Sequence, residues 1–87
     1  MKYATVSYPS QYGTRRGWVV TTSDAATPKQ HFNATLYAND KDEFPEYAAA
    51  ILERFPEIAD CEVVVRDGFY DRQDALAYCY GLGVTIL

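Results

Sequence analysis

Chemistry in this 87-residue chain would have to come from one histidine, two cysteines and twelve carboxylates. His31 is the sole imidazole, so any His-dependent catalysis or metal binding must use it. Paired with Cys61 or Cys79 as nucleophile it would need a third group to orient the ring, and the sequence marks none. A zinc site calls for ligands in short-spaced pairs, and the cysteines stand far apart in a strand-like and a helix-like stretch. They read as buried thiols. Asp40, Asp42, Glu43 and Glu46 crowd one segment without the alternating carboxylate pattern, central glycine and closing Glu of a calcium loop. The five glycines form no phosphate-binding loop. Asn33-Ala34-Thr35 matches a glycosylation sequon, which carries no meaning in a chain read as cytoplasmic. The expectation is a protein that is not an enzyme and uses no cofactor and no metal.

Charge is divided unevenly along the chain. Residues 1 to 37 carry four basic side chains against Asp24, whereas residues 38 to 87 carry four basic against eleven acidic ones, giving a net charge of −4. Such an acidic half either is a solvated helix face or disfavours nucleic-acid backbones and steers toward basic partners. The eight tyrosines exceed what a core of this size would bury, because each hydroxyl wants a partner, and tyrosine and arginine are enriched at interface hot spots. Tyr12, Arg15 and Arg16 fall in the segment Pro9 to Gly17. That loop is longer than a hairpin needs.

Elements must position these groups. With 48% hydrophobic and 23% charged residues the chain reads as one globular domain spanning 1–87. No apolar run approaches the roughly 20 residues of a membrane span, and MKYATVSYPS lacks the apolar block of a secretory signal, so no membrane and a cytoplasmic location are expected. Lys2 to Tyr8, Trp18 to Thr22 and His31 to Tyr37 alternate or are β-branched and aromatic, which predicts an antiparallel meander of three strands. Phe32, Ala34 and Leu36 would face the core. His31, Asn33, Thr35, Tyr37 and Tyr3 would face away from the helix side.

In Asp40 to Pro56, residues Phe44, Tyr47, Ala48, Ile51, Leu52 and Phe55 recur at three- and four-residue steps. This predicts the main helix, capped at Asp42 with Pro45 in its third position and laid against the sheet. On that phase Ile51 or Leu52 to Ala should cost about 2 to 5 kcal/mol. Cys61 to Arg66 predicts a fourth strand ending at the Asp67-Gly68 turn signal. Asp71 caps a second, shorter helix with Asp74 three residues on, carrying Ala75, Leu76 and Cys79 inward and ending at Gly81. The tail VTIL is long enough for a fifth, edge strand. The fold class is α+β, in the order β-β-β-α-β-α-(β).

A small, acidic, tyrosine-rich α+β domain with this meander and helix resembles the host-defence inhibitors encoded by phages and plasmids, of the anti-CRISPR and antirestriction type. The resemblance is one of size, charge and architecture and involves no shared motif. It implies a protein partner, a host nucleic-acid-handling complex whose basic surface is occupied by carboxylates. The partner-binding candidates are Tyr12, Arg15, Arg16, Asp40, Asp42, Glu43, Glu46, Asp67, Asp71 and Asp74. An alternative is a single-stranded nucleic-acid binder stacking bases on Tyr3, Tyr12, Trp18 and Tyr37, with Arg15 and Arg16 on phosphates. The negative net charge disfavours it.

Overall fold

β1 (Tyr3–Ser7) and β2 (Trp18–Ser23) pair antiparallel from Tyr3↔Ser23 to Ser7↔Val19, the hairpin that the alternation of the first strand predicts. The computed structural model describes residues 1–8 and 16–87, so Tyr12 and Arg15 lie outside the described residues. β3 (Val63–Phe69) pairs antiparallel with β2, and β4 (Thr85–Ile86) pairs parallel with β1. The sheet is mixed, in the order β3-β2-β1-β4. The α+β class stands, and the tail does supply an edge strand.

The third meander strand is absent: His31 to Tyr37 lies inside α1 (Pro28–Asp40). Thr27 caps this helix, its Oγ1 accepting from the N–H of Gln30 at 3.1 Å, while Gln30 Oε1 reaches back to the N–H of Ala26 at 2.7 Å. With Pro28 at the first helical position, this local signature outweighs the alternation that follows it. Helical phase then changes every assignment in the segment. His31 and Ala34 are buried, and Phe32 and Leu36, expected in the core, are 48% and 51% exposed.

α2 (Pro45–Arg54) follows a short turn, and it packs on α1 and on the 3₁₀ turn Pro56–Asp60 rather than on the sheet. Its cap is Phe44, not Asp42, with no side-chain capping bond. Pro45 takes the first helical position and keeps Phe44 out of helical angles (φ −130°, ψ 65°). Ala48 is buried, Ile51, Leu52 and Phe55 are half-buried, and Phe44 and Tyr47 are exposed. Only part of the wide apolar face is covered, because a single helix supplies less cover than a sheet.

α3 (Arg72–Leu82) begins as the sequence predicts, Asp71 Oδ1 accepting from the N–H of Asp74 at 2.8 Å. It ends two residues later than expected, capped by Gly83 rather than stopping at Gly81. Asp67-Gly68 does not turn the chain. β3 continues to Phe69 through an extra residue, a bulge shown by the register shift from Val20↔Arg66 to Trp18↔Phe69, with Gly68 at φ 86°.

Each face of the sheet has its own cover. Ala4 and Val20 join Ala75 and Cys79 of α3 in a buried cluster, edged by Val6, Trp18, Phe69, Tyr78, Val84 and Ile86. Strand alternation sends Thr5, Thr21 and Ser23 to the opposite face, where α1 packs. That second interface is largely polar. Tyr3 lies there too, beneath a helix rather than away from one.

Candidate functional site

The polar interface places His31 between two hydroxyls. Its Nδ1 lies 2.6 Å from Ser23 Oγ and its Nε2 3.4 Å from Thr5 Oγ1. The N–H of Ala25 donates to Ser23 Oγ at 3.3 Å. The arrangement that uses every group has Ser23 donating to Nδ1 and the Nε2 proton directed at Thr5. Burial lowers the pKa of His31 by penalising the imidazolium. Tyr3 and Phe32 flank the ring, with centroids 6.1 and 5.7 Å away.

A hydroxyl this close to an imidazole has the geometry of a nucleophile and its base. Both residues are 0% exposed, so neither can meet a substrate in this conformation. The pair is a polar pin between sheet and helix. It also corrects the placing of His31 as a surface strand residue, and Ser23 was missed because it falls just beyond the strand predicted over Trp18 to Thr22. The cysteines lie elsewhere. Cys79 belongs to the cluster on the other face, and Cys61 precedes β3 beside acidic groups. Burial raises both thiols, with Asp24, Asp60 and Glu57 adding to the shift at Cys61, so both are poor nucleophiles at neutral pH. Both are free thiols. Among the described residues no three of His, Cys, Asp and Glu are grouped to hold a metal.

The second candidate lies at the tip of the α1–α2 hairpin. The base of the hairpin is fastened where Asp24 and Glu62 meet, Glu62 N–H donating to Asp24 Oδ1 at 2.8 Å. There Lys29 and Arg54 also lie over the Phe55 ring, 5.7 and 5.6 Å from its centroid. Asp40 ends α1, Asp42 and Glu43 occupy the connection, and Glu46 stands in the first turn of α2. These four candidates come together. Between them Phe44 and Tyr47 form an edge-to-face pair, with ring centroids 6.3 Å apart. They are 52% and 70% exposed and line a shallow depression with Glu43, Pro45 and Glu46. Sequence reasoning assigned both rings to the core.

Asp67 and Asp71 hold main-chain groups of the fold. Asp67 Oδ2 accepts from the N–H of Arg16 at 3.0 Å, and the carbonyl of Arg16 accepts from Gly68 at 2.6 Å. Asp71 is occupied as the α3 cap, and Asp74 is exposed beside it. Among the described residues, the rings of the nucleic-acid alternative are dispersed. Tyr3 lies under α1, Trp18 packs edge-to-face with Tyr8 at 5.2 Å on the α3 side, and Tyr37 belongs to α1.

No family model, curated protein or solved structure matches this chain. No helix among the described residues is long and apolar enough to cross a membrane.

Proposed function

We propose that this chain is a non-enzymatic binding domain that presents the tip of its helical hairpin to a basic surface on a protein partner. The carrying observation is the pair of exposed rings, Phe44 and Tyr47, set among Asp40, Asp42, Glu43 and Glu46. Exposed aromatic rings supply apolar contact area with few torsions to freeze, and surrounding carboxylates steer and orient a cationic partner. The partner class we favour is a host nucleic-acid-handling complex in the cytoplasm, whose basic surface would otherwise hold phosphates, so the domain would act as an inhibitor of the anti-CRISPR or antirestriction type.

Capture of partners from a host lysate on the immobilised chain tests this. A captured nucleic-acid-binding protein should be lost with the Phe44→Ala, Tyr47→Ala double variant, and also on reversing the four carboxylates to Lys. Its own nucleic acid should compete with the chain for it. Retention by both variants would remove the hairpin tip as the binding surface.

A further inference from the structure

β3 lies at the end of the strand order, with Val63, Val64 and Val65 half-buried. The N–H of Asp24 donates to the carbonyl of Glu62 at 3.3 Å, and Thr22 Oγ1 donates to that of Val64 at 3.4 Å. Glu62, Val64 and Arg66 therefore turn their main-chain groups toward β2. By strand alternation Val63 and Val65 turn theirs outward, and among the described residues no hydrogen bond is made to them. An uncharged three-valine edge with free main-chain groups is a template for another strand. Beyond it, the bulge at Gly68 ends regular pairing.

We infer that this edge pairs antiparallel with the same edge of a second copy of the chain, about a two-fold axis at Val64. In that register Val63 faces Val65 of the partner subunit, and both have outward main-chain groups, as a hydrogen-bonded pair requires. Glu62 then stands opposite Arg66 of the partner subunit, and the symmetry repeats the pair. Glu62, Val64 and Arg66 all project on the α3 side, because Val64 and Arg66 stand opposite Thr22 and Val20. Arg66 is held there over the Tyr78 ring, 5.8 Å from its centroid, and both Glu62 and Arg66 are exposed. Opposite charges directly across a strand pair stabilise it, and like charges destabilise it. The edge is thus complementary to itself in charge and in hydrogen-bond phase. The resulting sheet would run unbroken through both copies.

Sedimentation equilibrium of the full chain tests this, with circular dichroism to verify that each variant folds. The wild-type chain should dimerise, and Glu62→Arg or Arg66→Glu alone should weaken association about tenfold or more, because each places like charges opposite one another twice. Mixing the two single variants should restore a one-to-one dimer, since every Arg then faces a Glu. A wild-type chain that is monomeric up to about 1 mM would overturn the proposal, that concentration marking only weak association. Failure of the mixture to pair, or single variants that dimerise like wild type, would overturn it equally. A monomeric chain that instead captures an extended peptide along β3 would assign the edge to a different occupant and sink the dimer.

Discussion

Ser23 Oγ lies 2.6 Å from Nδ1 of His31, joining the last residue of β2 to the first turn of α1 in a site from which water is excluded. This contact holds a neutral imidazole. Truncating His31→Ala would leave a cavity and a buried hydroxyl without its acceptor, at a cost of about 3 kcal/mol. Urea unfolding at pH 7.5 measures it, and a loss below about 1 kcal/mol would show that the pin does little.

The burial of His31 makes stability depend on pH. The folded pKa of His31 lies below the ordinary 6.5, so between those two values the unfolded chain binds more protons than the folded one. Stability should be flat above that ordinary value and should decline as the pH falls from it through the folded pKa. The readout is the urea midpoint between about pH 7.5 and 5, above most carboxylate titration. In a folded His31→Gln variant the decline over this window should disappear. An unchanged slope would assign it to other groups.

Much of this architecture was legible, and the misreadings around the candidate site have one physical origin. Asp71 and Asp74 announced α3 correctly because a cap bond is local and needs no tertiary partner. The segment from His31 to Tyr37 alternates well enough for a strand, yet Thr27, Pro28 and Gln30 had already started a helix. Hydrophobic period is a property of the burial pattern, and exposed Phe32 and Leu36 mimicked one that does not exist. Once α1 occupied the sheet, α2 was left to lean on α1 and the 3₁₀ turn Pro56–Asp60. Phe44 and Tyr47 were thereby freed, turning two apparent core residues into the centre of the candidate site. The His31–Ser23 contact was not legible at all, because it depends on which face of the sheet α1 covers.

The displaced helix changes where stability should reside. Ile51 and Leu52 are half-buried against α1, so either change to Ala should cost about 1 to 2 kcal/mol, less than the core value expected from the sequence. Val20, 1% exposed beneath α3, should cost about 2 to 3 kcal/mol on truncation to Ala. Denaturant midpoints of the three variants give the ranking. A larger loss at Leu52 than at Val20 would place the main core in the helical hairpin.

Two glycines with similar backbone angles should respond differently. Gly17 has φ 64°, and a Cβ there would stand 2.5 Å from the carbonyl oxygen of Phe69, on a strand that cannot shift without breaking the β2–β3 ladder. Gly68 has φ 86°, but a Cβ would meet nothing within 4 Å. Gly68→Ala should therefore cost only the left-handed strain, about 1 kcal/mol. Gly17→Ala adds a backbone clash and should cost at least about 2 kcal/mol more. Equal thermal midpoints for the two variants would contradict the close approach.

The hairpin tip should separate binding from stability. Phe44 and Tyr47 are 52% and 70% exposed and pack edge-to-face, so replacing both by Ala should change folding stability by less than about 1 kcal/mol. At an interface the same rings are anchors, and their loss should weaken partner affinity about 30-fold or more. The carboxylates at Asp40, Asp42, Glu43 and Glu46 should act mainly on the rate of association, which falls as salt rises because charges beyond about 8 Å are screened at physiological ionic strength. Neutralising them to Asn and Gln should flatten that salt dependence, whereas removing the rings should leave it intact and speed dissociation. Surface-based kinetics across a salt series resolve the two effects. A double ring variant that binds normally but unfolds early would return Phe44 and Tyr47 to a structural role and leave the tip without an anchor.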